Sequence, residues 1–167
     1  MTYTIYLSLG SNQGNKTSNL RVAIKKMRKY INIISISSFY ETEPIGENAT
    51  DNFINLVLEA TTKLIPQQLL REIHKVEATI GRKRQKELHW GDRIIDIDII
   101  HYKGIIMNDY NVTLPHKELY NRIFVVKPLL EIKPRMKLYD NDLKDILEKL
   151  QEKNKDYYIK HLDDENE

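Results

Sequence analysis

Ile94-Ile95-Asp96-Ile97-Asp98-Ile99-Ile100 alternates acid and isoleucine. Side chains two apart in a strand point the same way, so Asp96 and Asp98 project together while Ile95, Ile97 and Ile99 line the opposite face. The isoleucines predict a central strand over residues 94–102. Upstream, Pro66 opens a helix whose stripe is Leu69, Leu70, Ile73, Val76 and Ile80, and Gly81 ends it. Before that helix, residues 53–61 alternate again, with Phe53, Asn55, Val57 and Glu59 sharing one face. Residues 41–51 read as a loop containing Pro44 and Gly46, and β-branched residues 31–40 read as one strand. Leu20, Ala23, Ile24, Met27 and Ile31 mark an earlier helix, which follows the turn cluster 10–15 and an alternating strand over 3–9.

Downstream of the acids, Lys103-Gly104 turns the chain into a short return strand over 105–107, and residues 142–150 read as a last helix. The order β-α-β-β-α-β predicts an α+β, ferredoxin-like antiparallel sheet with helices packed on one face and extra C-terminal elements. The other face is then open to carry a site. One domain spanning residues 1–167 is expected from the length.

Composition narrows the partners. Lys plus Arg is 26 and Asp plus Glu is 24, a formal charge of +2, too balanced to point to nucleic acid. There is no cysteine, so disulfides and thiolate metal sites are excluded. The N-terminus reads as a strand rather than a signal peptide, and no apolar run approaches a membrane span. A soluble, cytoplasmic protein is expected. The acidic end, Asp163, Asp164, Glu165 and Glu167, reads as a solvated terminus.

The chemistry gathers around the paired acids. Two carboxylates about 7 Å apart along a strand repel unless a cation lies between them. Hard oxygen ligands suit Mg²⁺, which completes its shell with water and substrate phosphates. Gly81-Arg82-Lys83-Arg84 and Trp90-Gly91-Asp92-Arg93 precede the acids, and arginine grips phosphate through two-pronged, charge-assisted hydrogen bonds. Acids for metal beside arginines for phosphate describe a polyphosphate site. His116 and Arg122 could reach the same phosphates, although a lone histidine is more often structural. Phe53 could stack on a planar ligand and Asn55 read its edge, although ordinary sheet packing would explain the ring equally well.

In combination these residues resemble the 6-hydroxymethyl-7,8-dihydropterin pyrophosphokinases (HPPK) of folate biosynthesis. The matching pieces are Leu9-Gly10-Ser11-Asn12, Ser38-Phe39-Tyr40-Glu41-Thr42 with Pro44 and Gly46, Phe53-Ile54-Asn55, Glu77, Gly81-Arg82, Trp90-Gly91-Asp92-Arg93, Asp96-Ile97-Asp98-Ile99, Pro115-His116, Asn121-Arg122, Phe124 and Pro128-Leu129. They cover about residues 5 to 131.

The resemblance implies Mg²⁺-dependent attack of the pterin hydroxymethyl oxygen on the β-phosphorus of ATP, with AMP as leaving group. It implies two Mg²⁺ ions on Asp96 and Asp98, and a catalytic set of Arg82, Arg93, Asp96 and Asp98. ATP would meet Leu70, Glu77, Arg82, Arg84, Trp90, Arg93, Ile99, His116 and Arg122. The pterin would lie between Phe53 and Phe124, with Thr42, Pro44, Ile45, Asn55 and Asp96 around it. Both substrates are small molecules; no nucleic acid or membrane partner is implied, and a monomer is expected with a dimer left open. His89 stands where relatives usually carry arginine, and Asp92 where proline is frequent. Three other readings remain at this stage: an RNA-binding module of the same element order, a nucleotidyltransferase using the same acids, and a non-catalytic regulatory domain.

Overall fold

The computed structural model describes residues 1–84 and 91–162. His89 and Trp90 therefore lie outside the described residues, as does the acidic end. β1 (Tyr3–Ser11) buries Ile5, Leu7 and Leu9 on one face. α1 (Lys16–Met27) starts where the Asn15 side chain accepts a 3.0 Å hydrogen bond from the Ser18 amide. That bond satisfies one of the donors every helix leaves orphaned at its start. Leu20, Ala23, Ile24 and Met27 pack onto the sheet, and the helix ends before Ile31.

The single strand expected over 31–40 is two strands, β2 (Asn32–Ile36) and β3 (Phe39–Thr42), both paired to β4 (Phe53–Thr62). The break falls at Ser37, whose hydroxyl accepts from the Val57 amide and donates to the Ser38 carbonyl. A side chain competing for backbone partners ends the ladder there. β3 restarts it and carries Thr42 level with Phe53. α2 (Pro66–Ile80) closes at Gly81, whose φ of 113° is one a residue with Cβ adopts only under strain.

β5 (Asp96–Tyr102) pairs with β1 and, among the described residues, has no other strand of the main sheet beside it. β6 (Met107–Asn108) pairs with β7 (Thr113–Leu114), and β8 (Lys137–Leu138) with β9 (Asn141–Asp142), as two small separate sheets. β10 (Ile159–Leu162) joins the main sheet, which runs β10-β3-β4-β1-β5 with β2 also on β4. The acids are therefore on an edge strand, not a central one. Isoleucines fill β5 because α2 covers one of its faces.

Helices α1 and α2 cover that face, as expected. The opposite face is not wholly open. α3 (Ile123–Ile132) and α4 (Leu143–Lys153) pack there against Tyr6, Val57 and Ile100, forming a second core with Val125, Leu129 and Leu143. They cover one half of the sheet and leave the half around Gly10, Asn55, Asp96 and Asp98. No helix among the described residues is long and apolar enough to cross a membrane.

Candidate active site

Antiparallel register sets the floor of the site. Gly10 on β1 is level with Asn55 on β4 and with Asp96 on β5; Ser8 is level with Asp98. A Cβ on Gly10 would come within 2.6 Å of Asn55 Oδ1 and 3.6 Å of the Phe53 ring, so this strand position has room only for glycine. Above the floor lies a cavity of about 560 Å³. Thr42, Ile45, Phe53, Asn55, Asp96 and Phe124, which the resemblance implies for the pterin, line it together with Asp98 and with Arg93 and Arg122, which it implies for ATP. Ser8, Gly10, Glu43 and Gly91 line it too; Gly10 and Gly91 belong to the matching pieces, but none of the four is given a site role by the sequence. Pro44 does not, although both its neighbours do.

A second, more open recess of about 950 Å³ runs along the outer edge of β5. Leu70, Arg84, Ile99 and His116, four of the residues that the resemblance implies for ATP, meet there. His74, Lys117 and residues 110–113 complete it. Asp98 lines both recesses. The edge position of β5 makes this possible, because a ligand lying along an edge touches Ile97 and Ile99 from one face of the strand and Asp98 from the other.

The charges are already paired. Arg82 Nη1 donates to Asp96 and, at 2.7 Å, to Glu77 Oε1. Arg93 Nη1 donates to Asp96 Oδ2 at 2.7 Å. Burial opposes ionisation of Asp96, but the two guanidinium groups outweigh it and hold its pKa below the ordinary carboxylate value. Asp98 is the opposite case. Burial and the neighbouring Asp96 charge push its pKa up, and His116 and Arg122 offset this only in part. Arg122 Nη1 lies 3.1 Å from Asp98 Oδ2, and its guanidinium carbon lies 5.6 Å from the centre of the Phe124 ring.

Burial also lowers the pKa of His116, against the pull of Asp98, so the ring is neutral at pH 7. His116 Nδ1 accepts from the Glu118 amide at 3.2 Å, which puts the proton of the neutral ring on Nε2, 3.8 Å from Asp98 Oδ2. This histidine offers a phosphate an N–H rather than a positive charge.

Glu77 and Arg82, predicted to touch nucleotide, line neither recess. Glu77 is fully buried and accepts from Arg82, from Arg84 and, at 2.8 Å, from the Ile97 amide. It ties the two arginines to the backbone between the acids. Asn12, which the sequence offers in a turn and in the Leu9–Asn12 piece of the resemblance but with no role, is a second buried anchor. Its Oδ1 accepts from the Arg93 amide at 2.6 Å, and its Nδ2 donates to Asp92 Oδ1 at 2.7 Å and to the Asp51 carbonyl at 3.2 Å. Asp92 also accepts from the amide and hydroxyl of Thr50, each at 3.0 Å. One amide thus joins the loops after β1, after β3 and before β5.

The sequence profile of the family described as 7,8-dihydro-6-hydroxymethylpterin-pyrophosphokinase (HPPK) matches residues 6–134. A 2-amino-4-hydroxy-6-hydroxymethyldihydropteridine pyrophosphokinase from Aquifex aeolicus is 44% identical over 133 residues, 80% of this chain and 82% of the relative. A "Bifunctional protein FolKE" from Lactococcus lactis subsp. cremoris is 40% identical over 158 residues, 93% of this chain and 45% of the relative. The chain thus spans less than half the length of that bifunctional relative. Among solved structures, a Plasmodium falciparum HPPK-DHPS crystal structure has a similar fold, with a TM-score of 0.73 over 93% of this chain and 47% of the other, at 17% identity.

Proposed function

This chain belongs to the 7,8-dihydro-6-hydroxymethylpterin-pyrophosphokinase family, and on that premise we propose that it transfers the pyrophosphoryl group of ATP to the hydroxymethyl oxygen of 6-hydroxymethyl-7,8-dihydropterin, releasing AMP, in folate biosynthesis. One observation carries the reading: Asp98 is a shared wall of a cavity lined by Phe53 and Phe124 and a second, more open recess. A planar heterocycle between Phe53 and Phe124 and a nucleotide against Leu70 and Ile99 would then meet at the two acids.

The donor set suits Mg²⁺. Two carboxylates share one strand face, and burial and mutual repulsion leave Asp98 short of positive charge. No cluster of three or more His, Cys, Asp or Glu able to hold a metal occurs among the described residues. The ions would therefore take Asp96 and Asp98 from the protein and the rest of their shell from phosphate and water, the habit of Mg²⁺. Bound there, two Mg²⁺ ions would neutralise the phosphate chain around the β-phosphorus.

The protein's own groups do the rest. Arg93, bonded to Asp96, and Arg122, bonded to Asp98, both line the cavity and would follow the charge that moves to the leaving phosphate. Neutral His116 would donate from Nε2. Attack forms the bond from the hydroxymethyl oxygen to the β-phosphorus and breaks the bond from that phosphorus to the AMP oxygen, and the hydroxyl proton passes to solvent water. Positioning supplies most of the rate in such a transfer. Asp96, held ionised by two arginines, is a weak base and serves the ions instead.

Incubation with ATP, Mg²⁺ and 6-hydroxymethyl-7,8-dihydropterin should yield AMP and the diphosphorylated pterin in equal amounts by chromatography. Release of ADP, or of free pyrophosphate with AMP left on the acceptor, would refute the reaction.

A further inference from the structure

Residues 43–52, between β3 and β4, form neither strand nor helix, yet Glu43 and Ile45 within them line the cavity. The far end of this loop is fastened by Asp92, which accepts from Thr50, and by Lys16, whose Nζ donates to the Asn52 carbonyl at 2.7 Å. The near end is fastened by residues 114 and 115 positions later in the chain. The Tyr157 hydroxyl donates to the Glu43 carbonyl at 3.2 Å. The Glu43 amide donates to the Tyr158 carbonyl at 3.2 Å, and the Tyr158 amide donates to Glu43 Oε1 at 2.9 Å. Glu43 is thus held at its carbonyl, its amide and its carboxylate.

The later segment is the fixed partner in this clasp. α4 leads into it through a turn at Asn154, whose carbonyl accepts from the Tyr157 amide at 3.0 Å. Tyr157 and Ile159 pack against the second core. β10 then pairs with β3, with Ile159 level with Thr42 and His161 level with Tyr40. Those contacts hold residues 157–162 in place without Glu43. Ile45, by contrast, is 39% exposed. Neither Tyr157 nor Tyr158 lines either recess, and none of residues 41–45 lines the one beside Leu70 and Ile99.

We propose that Tyr157 and Tyr158 are positioning residues: through Glu43 they fix the cavity wall of Thr42, Glu43 and Ile45 on which a planar ligand seats. This rests on the reading of the cavity as the pterin site. A wall already in its bound position spares the ligand the cost of ordering it, so the effect falls on binding of the pterin rather than on the chemical step. One hydrogen bond of this kind corresponds to about three- to tenfold in affinity.

Tyr157→Phe removes one bond of the clasp, and Glu43→Ala removes another. Each should raise KM for the dihydropterin about three- to tenfold with KM for ATP within about twofold, and Tyr157→Phe should leave kcat within about twofold. Glu43→Gln, whose side-chain oxygen can still accept from the Tyr158 amide, should raise the pterin KM less than Glu43→Ala does. A pterin KM within about twofold in either Tyr157→Phe or Glu43→Ala, equal rises for both substrates, or a Glu43→Gln variant as impaired as Glu43→Ala would overturn the inference. Hydrogen exchange gives a readout without turnover. With Mg²⁺ and a non-hydrolysable ATP analogue present, adding the dihydropterin should slow exchange of the Tyr158 amide at least about twofold in the unsubstituted chain and not in Glu43→Ala, because coupling between two sites is reciprocal. Slowed exchange at Phe53 and Asn55 with Tyr158 unmoved would overturn the inference and leave the pterin site standing. If Tyr158 responded but ATP itself gave no pyrophosphoryl transfer, the proposed reaction would fall and the clasp would stand.

Discussion

The two recesses that meet at Asp98 are built differently. The cavity beside Phe53 and Phe124 has a floor of strand residues, Asn55, Gly10 and Asp96, locked level by ladder hydrogen bonds. The recess beside Leu70 and Ile99 is open and combines one helix, one strand edge and residues 110–117. A planar ring needs fixed walls, whereas a flexible phosphate chain can be gathered by side chains that rearrange around it. The cations near the acids suit that second task. Arg82, Arg93 and Arg122 are already bound to carboxylates, so a phosphate need not meet uncompensated charge before it binds.

The largest break in this comparison should come at the shared wall. Asp98→Ala removes a proposed metal ligand and should lower kcat by at least about a thousandfold, with the fold intact by circular dichroism. Turnover near the unsubstituted rate with Mg²⁺ would contradict the role given to Asp98. Smaller, one-sided effects should separate the recesses. Phe124→Ala should raise KM for the pterin about tenfold and leave ATP unaffected; Leu70→Ala should raise KM for ATP a few-fold and leave the pterin unaffected. Steady-state kinetics with each substrate varied in turn would read both, and crossed effects would mean the recesses do not divide the substrates.

The smallest effect is on stability. A raised carboxyl pKa means that the fold disfavours ionised Asp98, so above its folded pKa the ionised group costs stability that an amide would not. Asp98→Asn, though inactive, should therefore melt a few degrees higher than the unsubstituted protein at pH 7 without ligands. The gain should fade as pH falls through the folded pKa toward the ordinary Asp value. A lower melting temperature at pH 7 would mean that the bond to Arg122 outweighs burial and repulsion.

The sequence told much about the site and less about its frame. The period-two alternation at Asp96 and Asp98, and again at Phe53 and Asn55, sets facing regardless of strand order, and all four residues line the cavity. Strand order is a long-range matter, which is why isoleucine-rich β5 read as central although it lies at the edge. α3 was hidden by Val125, Val126 and Pro128, which suggest a strand or a break; packing against Tyr6 and Val57 outweighs those local preferences. β10 is four residues long with Lys160 and His161 inside it, too short and polar to register. Glu77 was recognisable by resemblance, but its place behind Arg82 and Arg84 depends on the turn at Gly81. Asn12 acts through partners at least 39 residues away, beyond any local pattern.

A crystal structure with a non-hydrolysable ATP analogue, Mg²⁺ and the hydroxymethyl-dihydropterin tests the central claim most directly. The account predicts carboxylate oxygens of Asp96 and Asp98 at about 2.0–2.1 Å from bound ions that also hold nucleotide phosphates. Phosphates held by arginines alone, with both acids still paired to Arg82, Arg93 and Arg122 and no ion between them, would contradict it.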